Sequence, residues 1–269
     1  MILVIILAVI AVFYILFKFK VPKIGCMSLV SGGVKTGKST LSVHMAISRY
    51  KRIKFAVKFR NLFRKLFHKP LYEEPLLYSN IPLAVPYVKL TQDLIFRKKR
   101  FRYGSVIYVN EASLLADSML IRDMDINERL LMFNKLIGHE LKGGRIIYDT
   151  QSVEDLHFSV KKCLSNYIYI HHLSKWIPFF LVAYVRECMY SIDGSVINVN
   201  NGDVEDELRR VIIPKSVWKK FDAYCYSYAT DDLPVVDKVV VADRKDMRVK
   251  KLISFNDERR SYYNAKTER

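Results

Sequence analysis

Apolar positions run unbroken from Met1 to Phe17, in MILVIILAVIAVFYILF, before the first charge at Lys18. A run of this length is at the short end of what crosses a bilayer as a helix. Lys18 and Lys20 can snorkel toward the headgroups and extend its reach. A cleavable signal peptide has its positive charges before the apolar stretch and a small-residue site after it. Here the charges follow, so the pattern predicts one transmembrane anchor over residues 1–20. The positive-inside rule then puts the N-terminus outside and the remaining chain in the cytoplasm. The competing reading, a core helix, would require burial all round.

Beyond the anchor the pattern alternates between strand-like and helix-like stretches. KIGCMSLV reads as a buried strand and STLSVHMAISRY as a helix. YGSVIYVNEAS is a short β-rich run, and GGRIIYDTQ is a further strand following a helix that ends at Gly143-Gly144. FFLVAYVRECMYSIDGSVINVNN predicts two strands joined at Asp193-Gly194. IPKSVWKKFDAYCYSY predicts a short helix whose aromatics pack on the core. After Asp231 charge rises and periodicity fades, which predicts a mobile tail. The expected organisation is an anchor (1–20), one α/β domain with a C-terminal hairpin extension (21–230) and a charged tail (231–269).

One loop carries chemistry. Gly32 to Ser39 fits G-x-x-x-x-G-K-[ST] without mismatch, between the predicted strand and helix that the motif requires. Backbone N–H groups of Gly32, Gly33, Val34, Lys35, Thr36, Gly37 and Thr40 are placed to curl around phosphate oxygens, and the helix N-terminus adds a positive dipole end. Lys38 would reach the β and γ phosphates, and Ser39 would ligate Mg²⁺. The expected ligands are ATP and Mg²⁺. Asn110-Glu111 closes a strand where an acidic pair commonly handles Mg²⁺ and the attacking water. Glu111 is the candidate base, with helix capping as the bland alternative, and Asn110 is a weaker metal ligand. Thr150-Gln151 ends another strand, where an amide can contact the γ-phosphate.

The charge balance is strongly basic, with a formal net charge of +17 over 269 residues. That favours an anionic partner, either nucleic acid or an acidic membrane face. RYKRIKFAVKFRNLFRKLFHK (Arg49 to Lys69) has no acid. Its Ile53, Val57, Leu62, Phe63, Leu66 and Phe67 recur at helical spacing, which predicts a basic amphipathic helix. An anionic bilayer, DNA and plain solvent are the three readings of its face. RKKRFR (Arg97 to Arg102) suits a DNA backbone or a solvated turn. Cys26, Cys163, Cys188 and Cys225 form no CxxC pair, and His44, His68, His139, His157, His171 and His172 show no metal spacing.

Together SGGVKTGKST, LLYSNIPL, SVIYVNEAS and LIGHELKGGRIIYDTQSVEDLHFSVKKCLSNYIYI resemble the zonula occludens toxin (Zot) family, which includes the gene I assembly ATPases of filamentous phages. The resemblance covers roughly residues 22–172. It implies a RecA-like P-loop NTPase fold, α/β with a central, mostly parallel sheet, here preceded by the transmembrane helix. It also implies ATP-driven phage assembly and virion export at the host inner membrane. It assigns Lys38 and Ser39 to nucleotide and Mg²⁺, Glu111 to hydrolysis and Gln151 to sensing the γ-phosphate. The expected partners are copies of the chain in a ring, the membrane, phage coat or assembly proteins, and single-stranded DNA as a further candidate. Four features depart from the family. Asn110 replaces an acid, Gly138 replaces an arginine before His139, and Lys161 or Lys162 replaces a second arginine. Here, too, the apolar span precedes the ATPase. Two rivals stay open: a DNA-translocating ATPase of conjugation or DNA transfer, and a nucleotide-binding membrane scaffold without turnover.

Overall fold

The computed structural model describes residues 22, 24–90, 101–115, 124–154, 156, 158–175, 178–190, 196–198, 208–221, 238–242 and 249–254. Strand β1 (Met27–Ser31) leads through the glycine loop into α1 (Lys38–Leu66). Then come β2 (Leu77–Ser79), β3 (Val88–Lys89), β4 (Val106–Val109), α2 (Ala112–Leu115), α3 (Met124–Leu141) and β5 (Arg145–Thr150). The chain continues through α4 (Phe158–Lys161), β6 (Asn166–Ser174), β7 (Phe180–Tyr190), β8 (Val196–Asn198) and β9 (Arg209–Pro214). A 3₁₀ turn (Lys215–Lys220) and the strands β10 (Lys238–Ala242) and β11 (Val249–Ser254) complete it.

The main sheet runs β3-β2-β4-β5-β1-β6-β7-β8, with β9 also on β7. From β3 to β6 every pairing is parallel, and β7 pairs antiparallel with β6, β8 and β9. Strands β1 and β4 are buried along their whole length. Burial on both faces is what a parallel sheet covered by helices demands. Alternation sorts the side chains between the two faces. Val30, Val106 and Tyr108 join Leu41, Met45 and Ile47 of α1, whereas Leu29, Ile107 and Val109 join Phe133, Ile137 and Leu141 of α3. Strand β5 is inserted between β1 and β4, so the tips carrying the glycine loop, Thr150 and Asn110 open on one edge of the sheet. Crevices at the carboxyl ends of parallel strands are where open α/β sheets bind ligands.

Several expectations need correction. The helix after the glycine loop and the basic amphipathic helix are one continuous element of 29 residues. Its buried positions all lie between Lys38 and Tyr50. Beyond Tyr50 the apolar positions divide: Ile53 packs against the core and Val57 is half-buried, whereas the remaining stripe faces outward, with Phe55 72% and Leu66 70% exposed. Phe55, Phe59 and Phe63 contact one another along it. The opposite side is held by the returning chain: Asn61 pairs with both main-chain groups of Tyr72, and Arg64 donates to the carbonyl of Pro70. Periodicity showed the stripe but could not show which way it points. The predicted helix from Ile213 is a short 3₁₀ turn; the 222–228 part of that prediction lies outside the described residues. Within the stretch read as a mobile tail, β10 and β11 form an antiparallel pair. The β-branched run of KVVVA is the signal that the rising charge obscured.

The expected location is also corrected. A single-pass place in a bacterial host's inner membrane, N-terminus outside and ATPase domain in the cytoplasm, required a spanning helix. Among the described residues no helix is long and apolar enough to cross a membrane. The longest, α1, carries lysines and arginines along its outer half. The apolar segment 1–20 itself lies outside the described residues.

His44, on α1, has its pKa lowered to about 4 by burial and by the nearby charges of Lys220 and Arg52. An unfolded histidine titrates near 6.5. The imidazole is therefore neutral in the fold, and its contribution is complete above pH 6.5 and lost as pH falls toward 4. Linkage predicts a loss of about 2 kcal/mol by pH 5. Urea unfolding of the parent and His44→Gln at pH 7 and pH 5 should show the smaller acid loss in the variant.

Candidate functional site

The glycine loop leaves β1 at Ser31, whose hydroxyl is 2.5 Å from that of Tyr167 on β6. Gly32 is buried against β6; a Cβ there would lie 2.5 Å from Ile170 Cγ2. Gly37 takes φ 94°, the left-handed region that glycine enters without steric cost. Thr36 donates its hydroxyl to the carbonyl of Gly33 at 2.8 Å, closing the loop on itself. Gly33, Val34 and Lys35 remain exposed, while Lys38 and Thr40 are buried and Ser39 lies half-buried in the first turn of α1. The main-chain amides thus surround the mouth of a helix N-terminus, a geometry suited to phosphate.

Glu111 is brought to this loop across β5. Its Oε1 is 2.6 Å from Lys38 Nζ, with side chains only 19% and 10% exposed. Helix capping does not describe Glu111, whose carboxylate is spent on that lysine. Its own φ is 48°, a left-handed conformation unusual for a glutamate. Three contacts hold that backbone. Asn80 Oδ1 accepts from the Asn110 amide, and Asn80 Nδ2 donates to the Asn110 carbonyl, each at 2.8 Å. The Glu111 amide donates to Asp149 Oδ1 at 2.7 Å.

Asp149 and Asn80 were not among the residues that the sequence nominated. Asp149 is fully buried in β5, paired in register with Val30 of β1. Its second oxygen accepts from the Tyr108 hydroxyl at 2.7 Å, and that hydroxyl also bonds with Ser39. Burial pushes the Asp149 carboxyl up to about 6, against the hydrogen bonds from Glu111 and Tyr108 that favour its charge. Burial, then the Asp149 carboxylate, raises Tyr108 well above the usual phenol range. The available signal for Asp149 was an acid inside the otherwise buried run IIYDT. Asn80 sat in the SNIP stretch, noted for its resemblance alone.

Asn110 turns its Oδ1 to within 3.0 Å of the Tyr108 hydroxyl. Gln151 follows Thr150 at the tip of β5, exposed, between the loop and the Glu111 strand. The donor set suits Mg²⁺ arriving on a nucleotide, because that ion keeps phosphate and water oxygens and asks little of the protein. Ser39 supplies the hydroxyl, and Asn110 adds at most a neutral oxygen, since both Asp149 oxygens are already committed.

Among solved structures, the chain is similar to the N-terminal domain of zonular occludens toxin from Neisseria meningitidis, at 15% identity and TM-score 0.43 over 74% of this chain and 100% of that one. It is also similar to the genome packaging NTPase B204 of Sulfolobus turreted icosahedral virus 2, at 14% identity and TM-score 0.36 over 62% and 96%. A third likeness is the FIGL-1 AAA domain in complex with ADP, at 16% identity and TM-score 0.29 over 56% and 44%. No protein-family profile matches the chain, and no curated protein does.

Proposed function

We propose that the chain is a P-loop ATPase working as an oligomer in filamentous phage assembly, its turnover coupled to export of the virion or its single-stranded DNA. The observation that carries the hydrolytic part is the Lys38–Glu111 contact, which sets a carboxylate beside the phosphate loop from a separate strand. ATP would be held by the amides of Gly32 to Thr40 and by Lys38, with Mg²⁺ supported by Ser39. The metal supplies charge neutralisation on the phosphates when bound. Lys38 would turn to the phosphates, and Glu111, released from the lysine, would orient and deprotonate the attacking water. Gln151 would contact the γ-phosphate. The assembly role rests on the motif resemblance, and the basic surface suits a nucleic-acid cargo.

Steady-state ATP hydrolysis by the full chain, with and without single-stranded DNA at low salt, tests this reading. Turnover that Glu111→Gln removes is expected, rising several-fold with DNA. A parent that binds ATP and turns over no faster than Glu111→Gln would leave a nucleotide-binding scaffold instead. Strong stimulation by duplex DNA alone would favour the DNA-transfer rival.

A further inference from the structure

The hydrolytic groups all lie on one side of the glycine loop. In the sheet order, β5 and β4 carry Gln151 and Glu111 on one flank of β1, and β6 flanks it on the other. The γ-phosphate must face Glu111, so the nucleoside end of a bound triphosphate leaves over the β6 flank. What stands there is the 3₁₀ turn after β9. Trp218, 38% exposed, donates Nε1 to Thr40 Oγ1 at 3.2 Å, on the last residue of the phosphate-binding stretch. Leu173 of β6 packs beside Gly37, and Lys175 extends its ammonium over the indole, 5.2 Å from the ring.

The turn is held firmly. Val217 and Phe221 are buried in the core on either side of Trp218. The Lys215 amide donates to the carbonyl of Phe179, and the Lys220 carbonyl accepts from Ala84. A large aromatic ring is thus fixed beside Thr40 of the phosphate loop, with the Lys175 ammonium over one of its faces.

We infer that Trp218 is the platform on which the nucleobase of the bound triphosphate stacks, with Lys175 beside the sugar–phosphate junction. This rests on the reading of Gly32 to Ser39 as the triphosphate site. An indole face recognises ring area rather than a hydrogen-bond pattern, since every base presents a π-face. The subsite therefore prefers purines to pyrimidines and does not separate ATP from GTP.

The test uses the full chain with Trp176→Phe, which leaves Trp218 as the sole indole of the 2 tryptophans. ATP and GTP are expected to quench its emission, whereas inorganic tripolyphosphate binds, as read by thermal shift, without the quench. Trp218→Ala should weaken ATP about 10-fold and leave tripolyphosphate within twofold. Trp218→Phe keeps a ring but loses the bond to Thr40 and should retain most of the ATP affinity. ATP binding with unchanged emission overturns the platform. So does an equal loss of ATP and tripolyphosphate in Trp218→Ala, which would mark a support for Thr40. If neither ATP nor tripolyphosphate binds the parent, the phosphate-loop reading falls and takes the platform with it.

Discussion

Lys38→Ala is expected to lower ATP turnover by at least about 100-fold. Two losses combine in it. The first is the cation that would meet the β and γ phosphates, placed at the mouth of α1. The second concerns Glu111, whose carboxylate lies 2.6 Å from Lys38 Nζ and is mostly enclosed. Removing one partner of an enclosed pair strands the other charge, at a cost below the 3–5 kcal/mol of a fully buried pair. Lys38→Ala should therefore destabilise the nucleotide-free protein by about 1–2 kcal/mol. Adding Glu111→Gln should restore part of that stability while restoring no turnover. Urea unfolding of the four proteins in the cycle reads the coupling, and steady-state hydrolysis reads the chemistry. Additive stabilities would mean that the contact carries no energy in solution.

Asp149→Ala is the second large effect. It leaves the Glu111 amide and the Tyr108 hydroxyl without their acceptor, and it frees the left-handed backbone on which Glu111 is presented. Loss of positioning of this kind costs roughly 10- to 100-fold in kcat. KM for ATP should move less than kcat, because Asp149 acts on the site through Glu111 and Tyr108.

Stability should move the other way in Asp149→Asn. Burial raises the folded pKa to about 6, above the unfolded value near 3.9. The folded state thus holds the proton more tightly, and stability from this group falls as pH rises from about 4 to 6. The charged form costs about 3 kcal/mol at neutral pH. Asparagine removes that cost while keeping an oxygen for the Glu111 amide. The expected variant is more stable at pH 7 and slower in turnover, a trade common at working sites. A purely structural aspartate would lose stability and activity together.

Much of this arrangement was legible in the chain. The glycine loop stands between a strand and a helix as its motif requires, and NEAS and DTQ marked two further strand tips. Their convergence was not legible, because it depends on β5 entering between β1 and β4, a long-range choice that no local pattern encodes. Asp149 was hidden for a related reason: inside a strand, its partners are Tyr108 of β4 and Glu111 just after it, 41 and 38 residues away in the chain. Asn80 holds Asn110 only once β2 pairs with β4. The outer half of α1 shows the opposite limit. Spacing revealed an apolar pattern through Ile53, Val57, Leu62, Phe63, Leu66 and Phe67, but only the packing shows that Ile53 turns to the core and that Leu62, Phe63, Leu66 and Phe67 face away from the protein. Trp218 looked like a core aromatic and is a ring beside Thr40 of the phosphate loop.

The most direct test of the account is the ATP turnover of the full chain beside Glu111→Gln, with ATP binding measured on both. The account predicts that the parent hydrolyses ATP and that the variant binds it as well or better while turning over at least about 100-fold more slowly. Equal turnover in the two proteins would contradict it, because the carboxylate at the phosphate loop would then not be the base.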